Sequence, residues 1–289
     1  MPATTLPAAP KPTTFFATTD LGLDEVEVAT GSTTRVIDPF FGGDGVFRGG
    51  LRASPDRTVL YFSEGYEDWW YACESSIGSI GSIDVASGTV TTIDVGGSVQ
   101  LSPDGSTIVN LDSETCLPDP QQPDLWVLTP YDRVIVRDVV GGSLTEYVTA
   151  TPPDGYEAPS AIRWADMAAD GSVLVQTAAG EIHRIPAGAT GAIQDFPVVA
   201  TTDASPWEVV GETIIATFFG AEGSSDLVTV SLVDGGVTPL ASAEVYMAVG
   251  VDDVGHVIAA ADGEITVEPG ADVTVVDFPV DAYYYDLEW

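Results

Sequence analysis

The chain has 289 residues, of which 45% are hydrophobic, and this is enough to form a large core. Its 44 acidic side chains outnumber the 9 basic ones, and the formal net charge is -35. A field of this sign repels phosphate backbones and anionic lipid surfaces, which excludes nucleic acid and acidic membranes as partners. The same acidity is typical of a salt-adapted organism, so it leaves the compartment open.

The first segment, residues 1–12, is rich in Pro, Thr and Ala and is typical of a linker. It lacks the apolar stretch of a signal peptide, and no run of about 18 apolar residues predicts insertion into a membrane. We expect a mature domain that is extracellular or tethered to a cell surface, whose leader is not visible in this chain. The alternative location is the cytoplasm of a salt-adapted organism.

Residues 13–289 alternate apolar and polar positions in short runs rich in β-branched residues, and this pattern predicts antiparallel strands. Glycine-bearing turns divide the runs into one three-stranded unit, 13–38, and five four-stranded units. The five units cover 48–95, 98–150, 160–197, 205–241 and 245–278. The last run, 282–289, is expected to supply the missing strand of the first unit and so close a ring. The predicted fold is an all-β six-bladed β-propeller with four-stranded antiparallel blades in one domain, 13–289.

An Asp-bearing turn recurs between the first two strands of several units. Its copies include Ser54-Pro-Asp56, Ser102-Pro-Asp-Gly105 and Ala169-Asp-Gly171. Asp-Gly between two apolar runs indicates a hairpin, because Gly adopts the positive φ that the turn needs. The Ser-Pro-Asp-Gly turn resembles the WD40-like propeller repeat of the TolB type, closely in blades 2 to 4 and loosely in blades 5 and 6. The pattern departs at Arg57, where Gly is absent, and at Gly211, where Asp is missing.

The strands of a blade are labelled A to D, and the B-to-C and D-to-A connections emerge on one face of a propeller. These connections are long and aromatic here, so we name this side the long-loop face and the opposite side the short-turn face. Long loops on a rigid scaffold are the usual place for a binding site. The residues predicted to bind a ligand or partner are Phe41, Asp44, Tyr66, Asp68, Trp69, Trp70, Tyr156, Trp207 and Phe219.

Two alternatives remain for the aromatic and acidic cluster at 66–71. Its rings either form a platform that stacks on a sugar or accepts a cationic group, or cover the neighbouring loop and exclude water. Cys73 and Cys116 fall in the B-to-C loops of adjacent blades. We predict a Cys73–Cys116 disulfide, which would stabilise the fold by roughly 3–4 kcal/mol, and the alternative is two free buried thiols.

Signals for catalysis are weak. His183 lies on an alternating strand, His256 follows a hairpin turn on the short-turn face, and no G-x-S-x-G elbow supplies a nucleophile. Both histidines, and Trp164 and Trp289, are expected to be structural or solvated. Calcium-dependent propeller lactonases are similar in fold but bind their metal through asparagines, and the one asparagine of this chain, Asn110, lies inside a strand.

Paired carboxylates keep an enzymatic alternative open. Asp44, Asp68, Asp112 and Glu114 are expected on the long-loop face, and a glycoside hydrolase needs two carboxylates at a defined separation. Oxygen ligands are abundant, but they lack the ordered spacing of a calcium loop. No cofactor is therefore predicted, although a structural calcium ion stays open.

The sequence favours a non-catalytic, extracellular recognition propeller that binds a protein or glycan partner through its long-loop face. One alternative is a propeller hydrolase acting on a glycan or lactone, which a deep acid-lined central pocket would favour. Another is a structural assembly protein, which a large exposed apolar patch would indicate. The fold itself does not choose among them, because propellers host scaffolds and enzymes alike.

Overall fold

A computed structural model provides the backbone path and the side-chain contacts for most of the chain. The structure describes residues 12–19, 22–38, 46–66, 79–112, 116–118, 126–128, 131–151, 153, 158–219, 224–243, 246–252, 255–261, 264–267, 274–276 and 284–289. In these residues six four-stranded antiparallel sheets form the blades of a propeller, as predicted.

The first three blades lie in the N-terminal half of the chain. Blade 1 contains β1 (Thr14–Thr19), β2 (Gly22–Glu27) and β3 (Thr33–Ile37). Blade 2 contains β4 (Val46–Ala53), β5 (Val59–Tyr66), β6 (Ser79–Asp84) and β7 (Thr89–Val95). Blade 3 contains β8 (Gly97–Leu101), β9 (Thr107–Asp112), β12 (Arg133–Asp138) and β13 (Leu144–Val148). Its B-to-C connection carries a separate hairpin, β10 (Cys116–Pro118) and β11 (Trp126–Leu128).

The other three blades follow in chain order. Blade 4 contains β14 (Ile162–Met167), β15 (Val173–Thr177), β16 (Glu181–Ile185) and β17 (Val198–Thr201). Blade 5 contains β18 (Ser205–Val210), β19 (Thr213–Phe219), β20 (Ser225–Ser231) and β21 (Val237–Ala243). Blade 6 contains β22 (Tyr246–Val251), β23 (Val257–Ala261), β24 (Glu264–Val267) and β25 (Thr274–Val276).

The last strand, β26 (Tyr284–Glu288), pairs antiparallel with β1 and becomes the innermost strand of blade 1. Leu287 of this strand lies opposite Ala17 and is completely buried. The following residue, Trp289, packs edge-on against Phe15 with ring centroids 6.4 Å apart. The innermost strand of each blade contacts that of the next, including β26 with β4 and β22. The predicted closure of the ring by the C-terminal strand is therefore confirmed.

The outer strand of blade 4, β17, begins at residue 198, after the range 160–197 expected for this blade. A single 3₁₀ turn, Ile193–Asp195, occupies the preceding residues. Its Ile193 side chain is completely buried, and the Asp195 carboxylate accepts a hydrogen bond from the Ala192 N–H at 3.1 Å. The buried isoleucine and this capping contact hold the chain in a turn, so the strand starts only after it.

The recurrent A-to-B turn owes its geometry to its aspartate. The Asp104 carboxylate accepts hydrogen bonds from the Ser102 hydroxyl at 2.7 Å and from the backbone N–H and hydroxyl of Ser106 at 3.0 and 2.7 Å. Gly105 then takes a φ of 71°. In blade 2, where Gly is absent, Arg57 adopts the same left-handed conformation with a φ of 57°, and its guanidinium lies 4.6 Å from the ring centre of Phe16.

Replacing Asp104 by Asn is expected to weaken the turn at neutral pH. The Ser102 hydroxyl and the two Ser106 donors lower the pKa of Asp104 to about 2. A lowered carboxyl pKa means that the stabilisation is present above the ordinary value, 3.8, and is lost as the pH falls through about 2. Because Asp104 is exposed, solvent screening limits the effect to less than about 1 kcal/mol. Urea unfolding of the wild type and of Asp104→Asn is measured from neutral to acidic pH. The difference in their free energies of unfolding should shrink towards zero as the pH falls, and a difference that stays constant would contradict the stabilising role of the Asp104 carboxylate.

Candidate functional site at the channel mouth

Each of the six innermost strands carries a β-bulge where it pairs with the second strand of its blade. In blade 2 the bulge lies between Gly49 and Arg52. In the other five blades one residue has no register partner, and it is the second or third residue of its strand. These five residues are Ser98, Arg163, Trp207, Met247 and Tyr285. A bulge twists a strand and re-aims a side chain, and these five lie within the first three residues of their strands, at the end that follows the D-to-A connection.

A cavity of about 350 Å³ lies at this mouth, between blades 2 and 5. We name it the channel-mouth cavity. Four of the six bulges contribute to its lining through Gly50, Ser98, Arg163 and Trp207. Its volume is within the range of about 300–1,000 Å³ that is typical of ligand sites. The cavity is therefore built mainly from bulged strand positions and adjoining loop residues.

A polar cluster around Arg52 lies between this cavity and the short-turn face, and we name it the channel plug: Arg52, Gln100, Glu208 and Glu288. The Arg52 side chain is 9% exposed, and its Nε and Nη1 lie 3.2 Å from Glu208 Oε2 and 3.6 Å from Glu288 Oε2. Arg52 Nε also donates to Gln100 Oε1. Arg52 lines a second cavity too, of about 500 Å³ on the short-turn face. Ion pairs therefore lie in the channel where the two cavities approach each other, and the second cavity is lined by three acids, Glu208, Asp252 and Glu288, together with Arg52 and Arg57.

One fully buried carboxylate lies beside this plug. Asp166 accepts backbone hydrogen bonds from Met167 at 2.7 Å and Val209 at 2.9 Å, which ties blade 4 to blade 5. Burial raises the pKa of Asp166 to about 7, and the Arg52 guanidinium and the two N–H donors oppose that rise. The charge of Arg52 therefore acts on three carboxylates from three different blades.

The walls of the cavity are held by hydrogen bonds between blades and loops. Gln176 Nε2 donates to the carbonyl oxygens of Thr202 and Ala204, both at 3.0 Å, and so fixes the connection that leads into blade 5. The Trp207 indole N–H donates to Thr217 Oγ1 at 2.6 Å. The backbone carbonyl of Trp207 accepts a hydrogen bond from Gln100 Nε2 at 3.3 Å. A site held in this way is largely formed before any ligand arrives.

Two residues that line the cavity each have a polar atom that is covered from solvent and has no hydrogen-bond partner: Trp164 Nε1 and Thr177 Oγ1. Trp164 packs towards blade 5, whereas Thr177 lies opposite Ile162 on the face of blade 4 that is turned towards blade 3. The Trp164 ring itself packs in the core between blades 4 and 5, which agrees with the structural role expected from the sequence. Its N–H nevertheless remains a donor without an acceptor, which costs free energy unless another group supplies one.

The predicted site residues fall into three groups. Trp207 lines the channel-mouth cavity. Phe219 ends β19 with 61% of its surface exposed and lies outside the cavity lining, whereas Tyr66 ends β5, where only its backbone is described. The others lie outside the described residues: Phe41, Asp44, Asp68, Trp69, Trp70 and Tyr156.

The proposed disulfide and the carboxylate set are largely beyond the described part of the chain. Cys73 lies outside it, and Cys116 is described only as the first residue of β10, so the pairing stays a prediction. Of the four acids considered for catalysis, Asp112 is described, and its Oδ2 lies 3.5 Å from Arg133 Nη2. The other three, Asp44, Asp68 and Glu114, lie outside the described residues, so their pairing stays a prediction.

The histidines occupy structural positions. His183 is buried, and its Nδ1 is 3.0 Å from the Phe196 carbonyl oxygen. His256 Nδ1 lies 2.6 Å from Asp252 Oδ2 on the short-turn face, and its carbonyl oxygen accepts from the Trp289 indole at 2.9 Å. Neither histidine is among the residues that line the channel-mouth cavity.

Sequence reasoning missed Arg52, Arg163 and Thr177. The available signal was the scarcity of cations, because two of only nine basic residues meet in one cavity. Arg163 also lies just after a D-to-A connection. Its bulge position in blade 4 is equivalent to that of Trp207 in blade 5. The missing information was the strand register, which decides where each of these side chains points.

No family model and no curated protein matches the chain. Among solved structures, TolB from Acinetobacter baumannii is similar with a TM-score of 0.64 and 11% identity, covering 96% of this chain and 65% of that chain. A TolB candidate from Agrobacterium tumefaciens has a TM-score of 0.50 and 14% identity, and the match covers 79% of this chain and 81% of that chain. The tricorn protease has a TM-score of 0.54 and 11% identity, and the match covers 94% of this chain and 30% of that chain. The chain therefore has a TolB-like propeller fold, and at these identities the likeness establishes the fold alone.

Two features are absent from the described residues. No group of three or more His, Cys, Asp or Glu side chains converges there in a way that could hold a metal ion. No helix in that part of the chain is long and apolar enough to cross a membrane.

Proposed function

We propose that this protein is a non-catalytic, extracellular recognition propeller that binds a protein or glycan partner at the channel mouth of its long-loop face. The observation that carries the proposal is the convergence of bulged residues on one cavity. Arg163 and Trp207 stand at equivalent bulges of neighbouring blades, and both line it. Aromatic and arginine side chains in a concave site are the residue types that dominate recognition energetics.

The chemistry of the lining supports recognition over hydrolysis. Among the described residues that line the channel-mouth cavity, Asp203 is the only acid, whereas two are arginines. A glycosidase of the ordinary kind needs two carboxylates across the scissile bond. Glu208 and Glu288, the nearest carboxylates of the channel plug, are both paired with Arg52. Such a lining can orient and hold a group, but it lacks the paired acid and base of the hydrolase alternative.

The test is a binding screen of the full chain against a glycan array and a peptide library, repeated with Trp207→Ala and Trp207→Phe. We expect Trp207→Ala to weaken the tightest interactions by about 2 kcal/mol or more, roughly 30-fold in Kd. Trp207→Phe keeps most of the packing and should lose less. Val233→Ala is the matched control, because Val233 is 77% exposed in a turn of the same blade on the short-turn face.

Two results would contradict the proposal. One is a screen in which neither library binds the wild-type chain. The other is an interaction that Trp207→Ala leaves unchanged while circular dichroism shows the variant to be folded.

A further inference from the structure

We propose that the channel-mouth cavity binds a neutral sugar residue of a glycan, whose hydroxyl groups form hydrogen bonds with Asp203, Ser98 and Ser205. This inference rests on the proposed function and narrows the partner from a protein or a glycan to an uncharged glycan. Three observations support it: the polar chemistry of the lining, the carboxylate of Asp203, and the balance of charge around the cavity.

Among the polar side chains that line the cavity, the neutral ones outnumber the charged ones. Hydroxyl and amide groups come from blades 2 to 5 and from the connection between blades 4 and 5: Ser63, Ser98, Gln100, Gln176, Thr202 and Ser205. A hydroxyl group both donates and accepts hydrogen bonds, and an amide side chain offers a donor and an acceptor. The hydroxyl groups of a sugar have the same dual character, so a sugar ring matches this lining.

Asp203 supplies an acceptor in a fixed position. It is exposed, lines the cavity, and has neither a hydrogen bond nor an ion pair in the part of the chain that the structure describes. Gln176 Nε2 holds the backbone on both sides of it through the carbonyl oxygens of Thr202 and Ala204. A carboxylate can accept from two hydroxyl groups at once, and such charge-assisted hydrogen bonds are stronger than neutral ones. Two adjacent hydroxyl groups of a sugar ring are suitable donors.

Ser98 lies at a strained position in the same lining. It is the bulged residue of blade 3, and its φ of 53° is uncommon for a residue that has a side chain. Backbone strain of this kind costs free energy and is found most often at ligand sites. Ser205, the first residue of β18, is exposed and also lines the cavity. The two serines therefore add hydroxyl groups from blades 3 and 5 to the carboxylate of Asp203.

Trp207 adds an apolar surface to this polar set. Its indole N–H donates to Thr217 Oγ1, so the ring has no further polar group to satisfy. The ring is half-buried and packs against the apolar cluster that joins blades 5 and 6, which fixes its orientation. A sugar ring has a face rich in C–H groups, and such a face packs well on an aromatic ring.

Charge favours an uncharged ligand. The chain carries a net charge of -35, so an anionic glycan such as a polymer of uronic acids is repelled as a whole. Within the described lining two arginines, Arg52 and Arg163, outnumber the single acid Asp203, and this balance disfavours a cation inside the cavity. A neutral glycan avoids both repulsions, and its affinity should depend little on salt.

The experiment measures binding of three fluorescein-labelled hexasaccharides, of glucose, mannose and N-acetylglucosamine, to the full chain by fluorescence polarisation. We expect at least one to bind saturably, with a Kd that changes less than about twofold between about 0.05 and 0.5 M NaCl. Asp203→Ala should weaken this binding about tenfold or more, because a hydrogen bond to a charged group is lost. Asp203→Asn keeps an acceptor oxygen and should lose less.

The matched control is Glu264→Ala. Glu264 is an exposed acid at the start of β24 and is not among the residues that line the cavity. Its replacement should leave the Kd of the hexasaccharide within about twofold of the wild-type value, as surface substitutions away from a site usually have small effects.

Other outcomes separate failure of this inference from failure of the proposed function. If no hexasaccharide binds but a screened peptide does, and Trp207→Ala abolishes that binding, the glycan assignment is wrong and the recognition site stands. Hexalysine that binds more tightly than the sugars, weakens with salt and is lost equally in Asp203→Ala and Asp203→Asn would identify a cationic partner instead. Glycan binding that a folded Asp203→Ala variant retains in full would overturn the role of Asp203. If neither these probes nor the screened libraries bind, both proposals fail.

Discussion

Replacing Arg52 by Met is expected to lower the free energy of unfolding by about 3–5 kcal/mol, because breaking a buried ion pair leaves its partner charges uncompensated. Met keeps most of the aliphatic volume, so the loss reports charge more than packing. Glu208 and Glu288 would then lose the guanidinium that pairs with both of them, although Arg57 still attracts Glu288. The loss of Arg52 would also raise the pKa of Asp166 further, since that guanidinium now opposes the effect of burial. Urea unfolding at neutral pH measures the change.

Two variants make the Arg52 result interpretable. Arg184→Met removes an arginine from a more exposed ion pair and should cost less than about 1 kcal/mol. A triple variant, Arg52→Met with Glu208→Gln and Glu288→Gln, removes the charges together and should recover part of the stability, because a buried ion pair contributes little net stability compared with neutral replacements. If Arg52→Met unfolds within 1 kcal/mol of the wild type, the channel plug does not hold the ring together.

Replacing Leu287 by Ala is expected to lower the free energy of unfolding by about 2–5 kcal/mol. Leu287 is completely buried on the strand that closes the ring, in a cluster that includes Phe15, Ala248 and Trp289. Because blade 1 takes its innermost strand from the far end of the chain, weakening this contact favours opening at one defined seam. Hydrogen exchange should therefore accelerate in β1 before it does in β15, which lies in blade 4.

The control for Leu287 is Val233→Ala, since an exposed side chain is expected to contribute within about 0.5 kcal/mol. Equal destabilisation by the two substitutions, or exchange that rises evenly in all blades, would show that the ring has no special seam at blade 1.

The architecture was predictable because its signals are local and repeated. An Asp-centred turn such as Ser102-Pro-Asp-Gly105 needs only neighbouring donors and a glycine, so it is visible in a few residues. Alternating strands on both sides of each turn then fix the blade, and the strand left over at 284–288 has one place to go. Arg57 shows that the turn forms even where glycine is missing, because the aspartate contacts at Asp56 remain.

The channel-mouth cavity was not predictable in the same way. Its lining depends on bulges, which shift the register by one residue and leave no clear mark in composition. Arg52 and Glu208 look like ordinary strand residues, and only the ring brings them within 3.2 Å across some 150 positions of sequence. Trp207 was found because it is an aromatic residue beside a D-to-A connection. Phe219 satisfied the same kind of criterion but lies outside the cavity lining.

The most direct test of the recognition site is a titration that observes tryptophan indole N–H resonances. The full chain, labelled with ¹⁵N-tryptophan and assigned by substitution, is titrated with the tightest ligand from the screen of glycans and peptides. We predict that the Trp164 and Trp207 resonances shift together in a saturable manner, while Trp289, on the short-turn face, stays in place. Shifts confined to Trp289, or to Trp69 and Trp70 alone, would contradict the assignment of the channel-mouth cavity as the site.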